Sequence, residues 1–354
     1  MESSDGVPGP PLFRAVASST RPLYQLLKSI NFTKKIHVEI TEQGIRFTAD
    51  HARVMQGIAR WTKSMFTSYT TNFNSPGSDQ DSDSGAESAP PTFQISLPAL
   101  LEALQIFGAA DAAARQSKAD MDPYRSNLRH LRNHDPDAFS NHTLGMSGTC
   151  SLSYASEGGP FSIVIEESGV TTTCNLTTYI SEAREEIPFA LEEDPTFKII
   201  TQARWLLDAM AEIVPTSPER LTICASRGPP YLRLTSSGGA FGSTTVDFEK
   251  GLALLETLRV EQRWSQTFRF EVVNSVTEAM KIANMVSLRG DSQGVLSIQF
   301  MVEVEGSEPS FLDFRVVPYV THEDDEEEEG EGDGEGDGGE GEGETVGSVG
   351  GRDG

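Results

Sequence analysis

Two short constellations in this sequence could do chemistry. Asp247-Phe-Glu249 sets two carboxylates two residues apart at the end of a β-branched run. Clustered carboxylates hold the catalytic metal ions of nucleases, and an Asp-x-Glu opens one exonuclease family's motif set. No later acidic motif follows in a suitable context, so the triplet stands alone and no catalytic residue is assigned. His130 and His134 lie four apart, with His142 and Cys150 downstream. On a helix that spacing would align two imidazoles on one metal. Asn133 and Asp135-Pro136 break a helix there, and no ligand spacing follows, so this stretch reads as a polar insertion without metal. Neither a Gly-x4-Gly-Lys-Ser/Thr loop nor Gly-x-Gly-x-x-Gly opens a helix, and no cofactor is expected. Cys150, Cys174 and Cys224 are odd in number and form no CxxC pair. Reduced thiols of a cytoplasmic or nuclear protein are the simplest reading.

The elements that carry these residues repeat. The strand Leu12–Ser19 feeds a helix over Thr20–Ile30, and Phe93–Ile95 feeds one over Ser96–Ile106. Phe197–Ile200 feeds Thr201–Ile213, and Phe268–Val273 feeds Asn274–Met285. Thr20, Ser96, Thr201 and Asn274 can each cap a helix start, and Pro22 and Pro98 sit in a first turn, where a missing N–H costs little. Behind the caps, Leu23, Leu26, Leu27 and Ile30 keep a helical period, as do Ala203, Leu206, Leu207 and Met210. A fourfold strand–helix unit with hairpins between copies specifies a scaffold rather than an enzyme cleft.

Of the net charge of −25, Glu323–Glu344 supply 14 acids and no base, which leaves −11 for the rest. That balance counts against gripping nucleic acid with the whole surface but allows a locally basic face. No apolar stretch is long enough to span a bilayer, and Met1–Gly6 lacks the regions of a secretion signal, so no membrane partner is expected. Residues 1–10 read as a disordered arm and 11–177 as a first domain with insertions at 74–91 and 109–147. Residues 178–195 read as an acidic connector, 196–320 as a second domain, and 321–354 as a disordered acidic tail. Residues 249–263 read as a loop or short helix.

Four segments stand out beside the repeats: Leu100-Leu-Glu-Ala-Leu-Gln-Ile-Phe-Gly108, Pro230-Tyr-Leu-Arg-Leu-Thr-Ser236, Gly294-Val-Leu-Ser-Ile-Gln-Phe300 and Phe311-Leu-Asp-Phe-Arg-Val-Val-Pro318, with the acidic tail beyond. On these segments the arrangement resembles sliding clamps of the PCNA type, most closely the Rad-one subunit family of the nine-one-one DNA-damage checkpoint clamp. The resemblance covers roughly residues 12–320 outside the two insertions. It implies an α+β DNA-clamp fold of two similar domains, each with two helices packed on antiparallel sheets. It also implies a heterotrimer with two sister subunits that a clamp loader opens around double-stranded DNA. The loaded ring would recruit repair and checkpoint proteins in the nucleus. A 3′–5′ exodeoxyribonuclease and a homotrimeric replication clamp are the alternatives.

The resemblance directs attention to three groups of residues. Arg21, Lys28, Lys34, Lys35, Arg204 and Lys281 lie opposite apolar stripes or just past a helix end. They are either DNA-facing bases or ordinary solvated ones. Val170–Thr177 and Phe241–Phe248 are β-branched, lack Pro and carry at most one charge, so neither has the usual protection of a free edge. Thr171, Thr173, Asn175, Thr244, Val246 and Phe248 are therefore candidate subunit-interface residues, unless both strands lie inside a sheet. By family analogy Val54, Ile187, Val317 and Pro318 would form a client-peptide groove, or simple packing beneath the connector. Ala49 and Gln56 stand where the replication clamp has larger apolar residues, which implies a weaker or different client site.

Overall fold

The computed structural model describes residues 10–73, 90–105, 149–167, 170–181, 185–189, 195–249, 255–304 and 308–320. Most of the expected arm and of both insertions, the histidine cluster, the end of the helix expected over Ser96–Ile106 and the acidic tail lie outside the described residues.

The first half runs β1 (Phe13–Ala17), α1 (Arg21–Lys28), β2 (Lys35–Thr41), β3 (Gly44–His51), β4 (Met55–Thr62) and β5 (Ser68–Thr71). It continues with β6 (Thr92–Ser96), α2 (Leu97–Gln105), β7 (Thr149–Tyr154), β8 (Phe161–Glu167), β9 (Val170–Leu176) and the two-residue β10 (Tyr179–Ile180). The second half runs β11 (Phe197–Gln202), α3 (Ala203–Ile213), β12 (Arg220–Ala225), β13 (Leu232–Ser237), β14 (Thr245–Phe248) and β15 (Leu255–Val260). After these come β16 (Trp264–Arg269), α4 (Phe270–Asn274), α5 (Thr277–Ile282), β17 (Met285–Gly290), β18 (Leu296–Val302) and β19 (Ser310–Val316).

The two halves share one pairing scheme. The order β5-β1-β7-β8-β9 recurs as β15-β11-β17-β18-β19, and β6-β2-β3-β4 recurs as β16-β12-β13-β14. The register repeats residue by residue. Phe13 pairs with Tyr154, Tyr154 with Phe161 and Phe161 with Leu176. Phe197, Gly290, Leu296 and Val316 pair in the same succession. Likewise Ile40, Ile45 and Trp61 correspond to Ala225, Leu232 and Phe248. Where Tyr154 fills its site, Gly290 leaves room: a Cβ there would stand 2.4 Å from the Phe197 ring and 2.6 Å from the Trp264 indole.

One pairing breaks the symmetry. β4 bonds β19, with Gly57 opposite Phe314, and fuses parts of both halves into a ten-stranded sheet. The chain up to Tyr319 is one compact unit. Alternation across β4 serves both faces. Gly57 points to Ile30 and Phe32 below α1, while Gln56 points to the connector.

Four of the described helices form one run: α1 packs against α2 and α5, and α5 packs against α3, while α4 sits on β12 and β16. Leu23, Leu26, Leu27 and Ile30 are all buried, as their period required. The expected caps need correction. Ser96 Oγ does accept the Ala99 N–H, at 3.4 Å. Thr20 instead has helical backbone and a buried hydroxyl without a partner. Thr201 belongs to β11, and α3 starts at Ala203. The fourth strand ends at Arg269, and the single helix expected from Asn274 is two short ones. Local hydroxyl bonds divide them: Ser275 Oγ donates to the Val272 carbonyl at 2.6 Å, and Thr277 Oγ1 donates to that of Asn274. Such bonds compete with the helical ladder. Within the expected loop 249–263, Leu255–Val260 forms the edge strand β15, bonded to β11 as β5 is to β1.

Candidate functional site

Three surfaces collect the residues with functional potential. The first is the helical layer. Arg21 and Lys28 project from α1, Arg204 from α3 and Lys281 from α5, all exposed or half-exposed. Lys28 Nζ lies 3.1 Å and Lys281 Nζ 2.6 Å from the two oxygens of Glu278. The hydrogen bond from Lys281, with that from Lys28, holds the Glu278 carboxyl below its ordinary pKa. The Arg204 guanidinium lies 4.4 Å from the centre of the Trp205 ring. Lys34 is exposed, and its carbonyl accepts the first N–H of α2. Lys35 starts β2, with its ammonium 4.0 Å from the centre of the Tyr179 ring. That cation–π contact ties it to the β10 edge. Glu278 has no counterpart in the sequence reading, because Lys28 approaches it only through tertiary packing.

The second surface is the pair of sheet edges β9 and β14, which among the described residues bond only β8 and β13 respectively. Thr171, Thr173 and Asn175 are exposed on β9. Asn175 Oδ1 accepts the Ser162 hydroxyl at 2.7 Å. Thr244 is half-buried beside β14, its N–H on Ser236 Oγ. Val246 packs against the core and Phe248 is buried in it, so a partner at those two positions meets backbone rather than side chain. Asp247 gives both oxygens to Arg233, at 2.7 and 2.8 Å. The Arg233 hydrogen bond lowers the Asp247 pKa and occupies the oxygens that a metal ion would need. No cluster of metal-ligating side chains occurs among the described residues.

The third surface is the connector. Gln56 holds it at two points: its amide nitrogen donates to the Glu185 carbonyl, and its amide oxygen accepts the Ile187 N–H at 2.8 Å, while the same nitrogen is steadied by Asp50 of β3. Arg315 donates to the Ile187 carbonyl at 2.7 Å, and Arg46 pairs with Glu186 at 2.7 Å. Ile187 and Phe189 bury themselves on Val295, with Val317 alongside, and the Val317 N–H bonds the Val54 carbonyl. Val317 thus touches the Ile187 cluster with its side chain and Val54 through its backbone, while the Val54 side chain packs against the main core, and Pro318 follows Val317 directly. Sequence alone gives Arg46 and Arg315 no part at this site, and marks Gln56 only for replacing a larger apolar residue.

The family model for repair protein Rad1/Rec1/Rad17 matches residues 12–302. The chain belongs to this family. It is 29% identical to the DNA damage checkpoint control protein rad1 of Schizosaccharomyces pombe over 89% of each chain. It is 28% identical to the cell cycle checkpoint protein RAD1 of Homo sapiens, over 86% of this chain and 90% of that one. Among solved structures, the proliferating cellular nuclear antigen of Entamoeba histolytica superposes with a TM-score of 0.58 at 16% identity, covering 88% of this chain and all of that one. The PCNA2–PCNA3 complex of Sulfolobus tokodaii gives 0.59 at 14% identity, over 86% of this chain and 98% of its counterpart. At such identities the structures speak for the fold: the Rad1-family chain has the α+β sliding-clamp fold that the resemblance implied.

Proposed function

We propose that this Rad1-family chain is one third of a heterotrimeric DNA-damage checkpoint clamp. Its two topological halves, 11–177 and 196–320, are the two clamp domains, with 178–195 as connector. The observation that carries this reading is the broken symmetry of the sheets. β5 and β15 are edges in both halves, and β6 and β16 carry only a short addition at theirs. β4 and β19 are joined, yet their equivalents β14 and β9 are not. The chain holds one finished joint and the two loose ends of an identical one. A neighbour at β9 and another at β14 complete the ladders of both edge strands. Carried over from Gly57 opposite Phe314, the joint sets the Thr244 position of one subunit opposite the Cys174 position of the next.

Joints of this kind close subunits into a ring, and the continuous helical run supplies its lining. Arg21, Lys28, Arg204 and Lys281 then face the phosphates of double-stranded DNA without reading bases, while Lys34 and Lys35 stand at the rim. The contribution is topological, not catalytic, and Asp247, bound by Arg233, serves the β13–β14 ladder. A clamp loader opens the ring in the nucleus, and repair and checkpoint proteins dock on its outside. At the Val54–Ile187–Val317–Pro318 groove a client must displace packing that the connector already makes.

Native mass measurement after co-expression with candidate sister subunits tests this. One copy of each of three chains is expected. A stable trimer of this chain alone would replace the reading with a replication-type clamp.

A further inference from the structure

The helical layer is close to charge balance. Its described helices carry four bases, Arg21, Lys28, Arg204 and Lys281, against five acids, Glu102, Asp208, Glu212, Glu271 and Glu278. Glu278 differs from the other four in its position. From α5 in the second half it reaches Lys28 on α1 in the first half at 3.1 Å, while its other oxygen holds Lys281 at 2.6 Å. One carboxylate therefore engages half of the layer's bases at the seam between the halves. The three side chains are 37–52% exposed, and ion pairs so placed add little to stability, so the fold has small need of this one. Next to it lies a hollow of about 360 Å³, lined by Arg21, Tyr24, Lys28, Gln105, Glu278 and Ile282. It is wide enough for a phosphate group, and Glu278 stands on its wall.

We propose that Glu278 is a built-in counter-charge that competes with DNA phosphates for Lys28 and Lys281 and so keeps the clamp's hold on the duplex loose. The inference rests on the helical layer facing DNA. A phosphate that enters the hollow must take an ammonium from the carboxylate. Each such contact forms against a bound competitor, so it contributes less than a free lysine would. A ring retained by enclosure works with weak contacts, and a single acid at the seam weakens two of them together.

The test compares assembled rings carrying Glu278→Gln, the double change Arg21→Ala/Arg204→Ala, or neither, on a fluorescent duplex at several salt concentrations. Glu278→Gln preserves shape and removes the charge. Each phosphate contact recovered should tighten binding about fivefold near physiological salt and steepen the log–log salt slope by about 0.9. The expected gain is therefore between about fivefold and 25-fold, with an unchanged unfolding temperature, and Glu278→Ala should move affinity the same way. Unchanged or weaker binding by both Glu278 variants, while Arg21→Ala/Arg204→Ala loses affinity, overturns the counter-charge and leaves the lining intact. If Arg21→Ala/Arg204→Ala has no effect either, the helical layer does not meet DNA, and the reading beneath the proposal falls as well.

Discussion

A proline on the outward side of β9 should abolish ring assembly while the lone chain stays folded. Backbone N–H groups of an antiparallel edge strand point alternately to its one neighbour and to open solvent. Thr172 and Thr173 are consecutive on β9, opposite Ile165 and Val164 of β8. One of Thr172→Pro and Thr173→Pro therefore removes a bond to β8 and lowers the unfolding temperature. The other removes only an outward donor, the one that the proposed joint would use, and its ring also blocks a strand's approach. That second variant should melt within a degree or two of wild type yet lose association by roughly 100-fold or more, equivalent to two or three ladder hydrogen bonds. The pair Thr245→Pro and Val246→Pro should do the same on β14 and detach the other neighbour. Native mass spectrometry of co-expressed subunits reads both. Assembly unaffected by all four changes would mean that these edges are not the joints.

The largest stability effect is expected at Arg315. Its side chain is 10% exposed and lies 3.6 Å from the carboxylate of Asp313, itself 13% exposed. It also bonds the Ile187 carbonyl and approaches Glu186 at 3.7 Å. Arg315→Ala strips the partner from a nearly buried carboxylate and releases the connector together. Losing one member of such a pair costs about 3–5 kcal/mol, which in a chain of this size lowers the melting temperature by roughly 10 °C. Arg315→Met/Asp313→Leu removes both charges and should recover most of that loss. Glu186→Gln, at 41% side-chain exposure, should cost under about 1 kcal/mol. Thermal unfolding separates the three, and limited proteolysis near Ile187 reports whether the connector has lifted. If Arg315→Ala melted like wild type, the clamp would not be what holds the connector.

Much of this architecture is legible in the sequence wherever the deciding contacts are local. The Leu23–Ile30 stripe and the Ser96 cap are written within a few residues of each other. The edges β9 and β14 declared themselves by what they lack, since strands without Pro and nearly without charge expect company. Local signals also misled. Ser275 and Thr277 divide the fourth helix by bonding their own turns. Phe270, Val273, Val276 and Ala279 nevertheless follow helical steps of three, a stripe that would have marked the strand's early end. β15 escaped because its partner β11 lies far back in the chain. The Arg315 contact to Ile187 spans 128 positions, and Lys28 meets Glu278 across an even longer separation. No spacing rule reaches such pairs, which form only after the halves dock. Lys35 adds a contact no local spacing announces: its ammonium lies above Tyr179, far along the chain.

Loaded with its sister subunits and loader onto a nicked circular plasmid, the clamp should survive a wash at high salt, where phosphate contacts fade. Cutting the same plasmid once should release it from the ends. Equal loss from circle and line, or equal retention on both, would contradict a ring around the duplex.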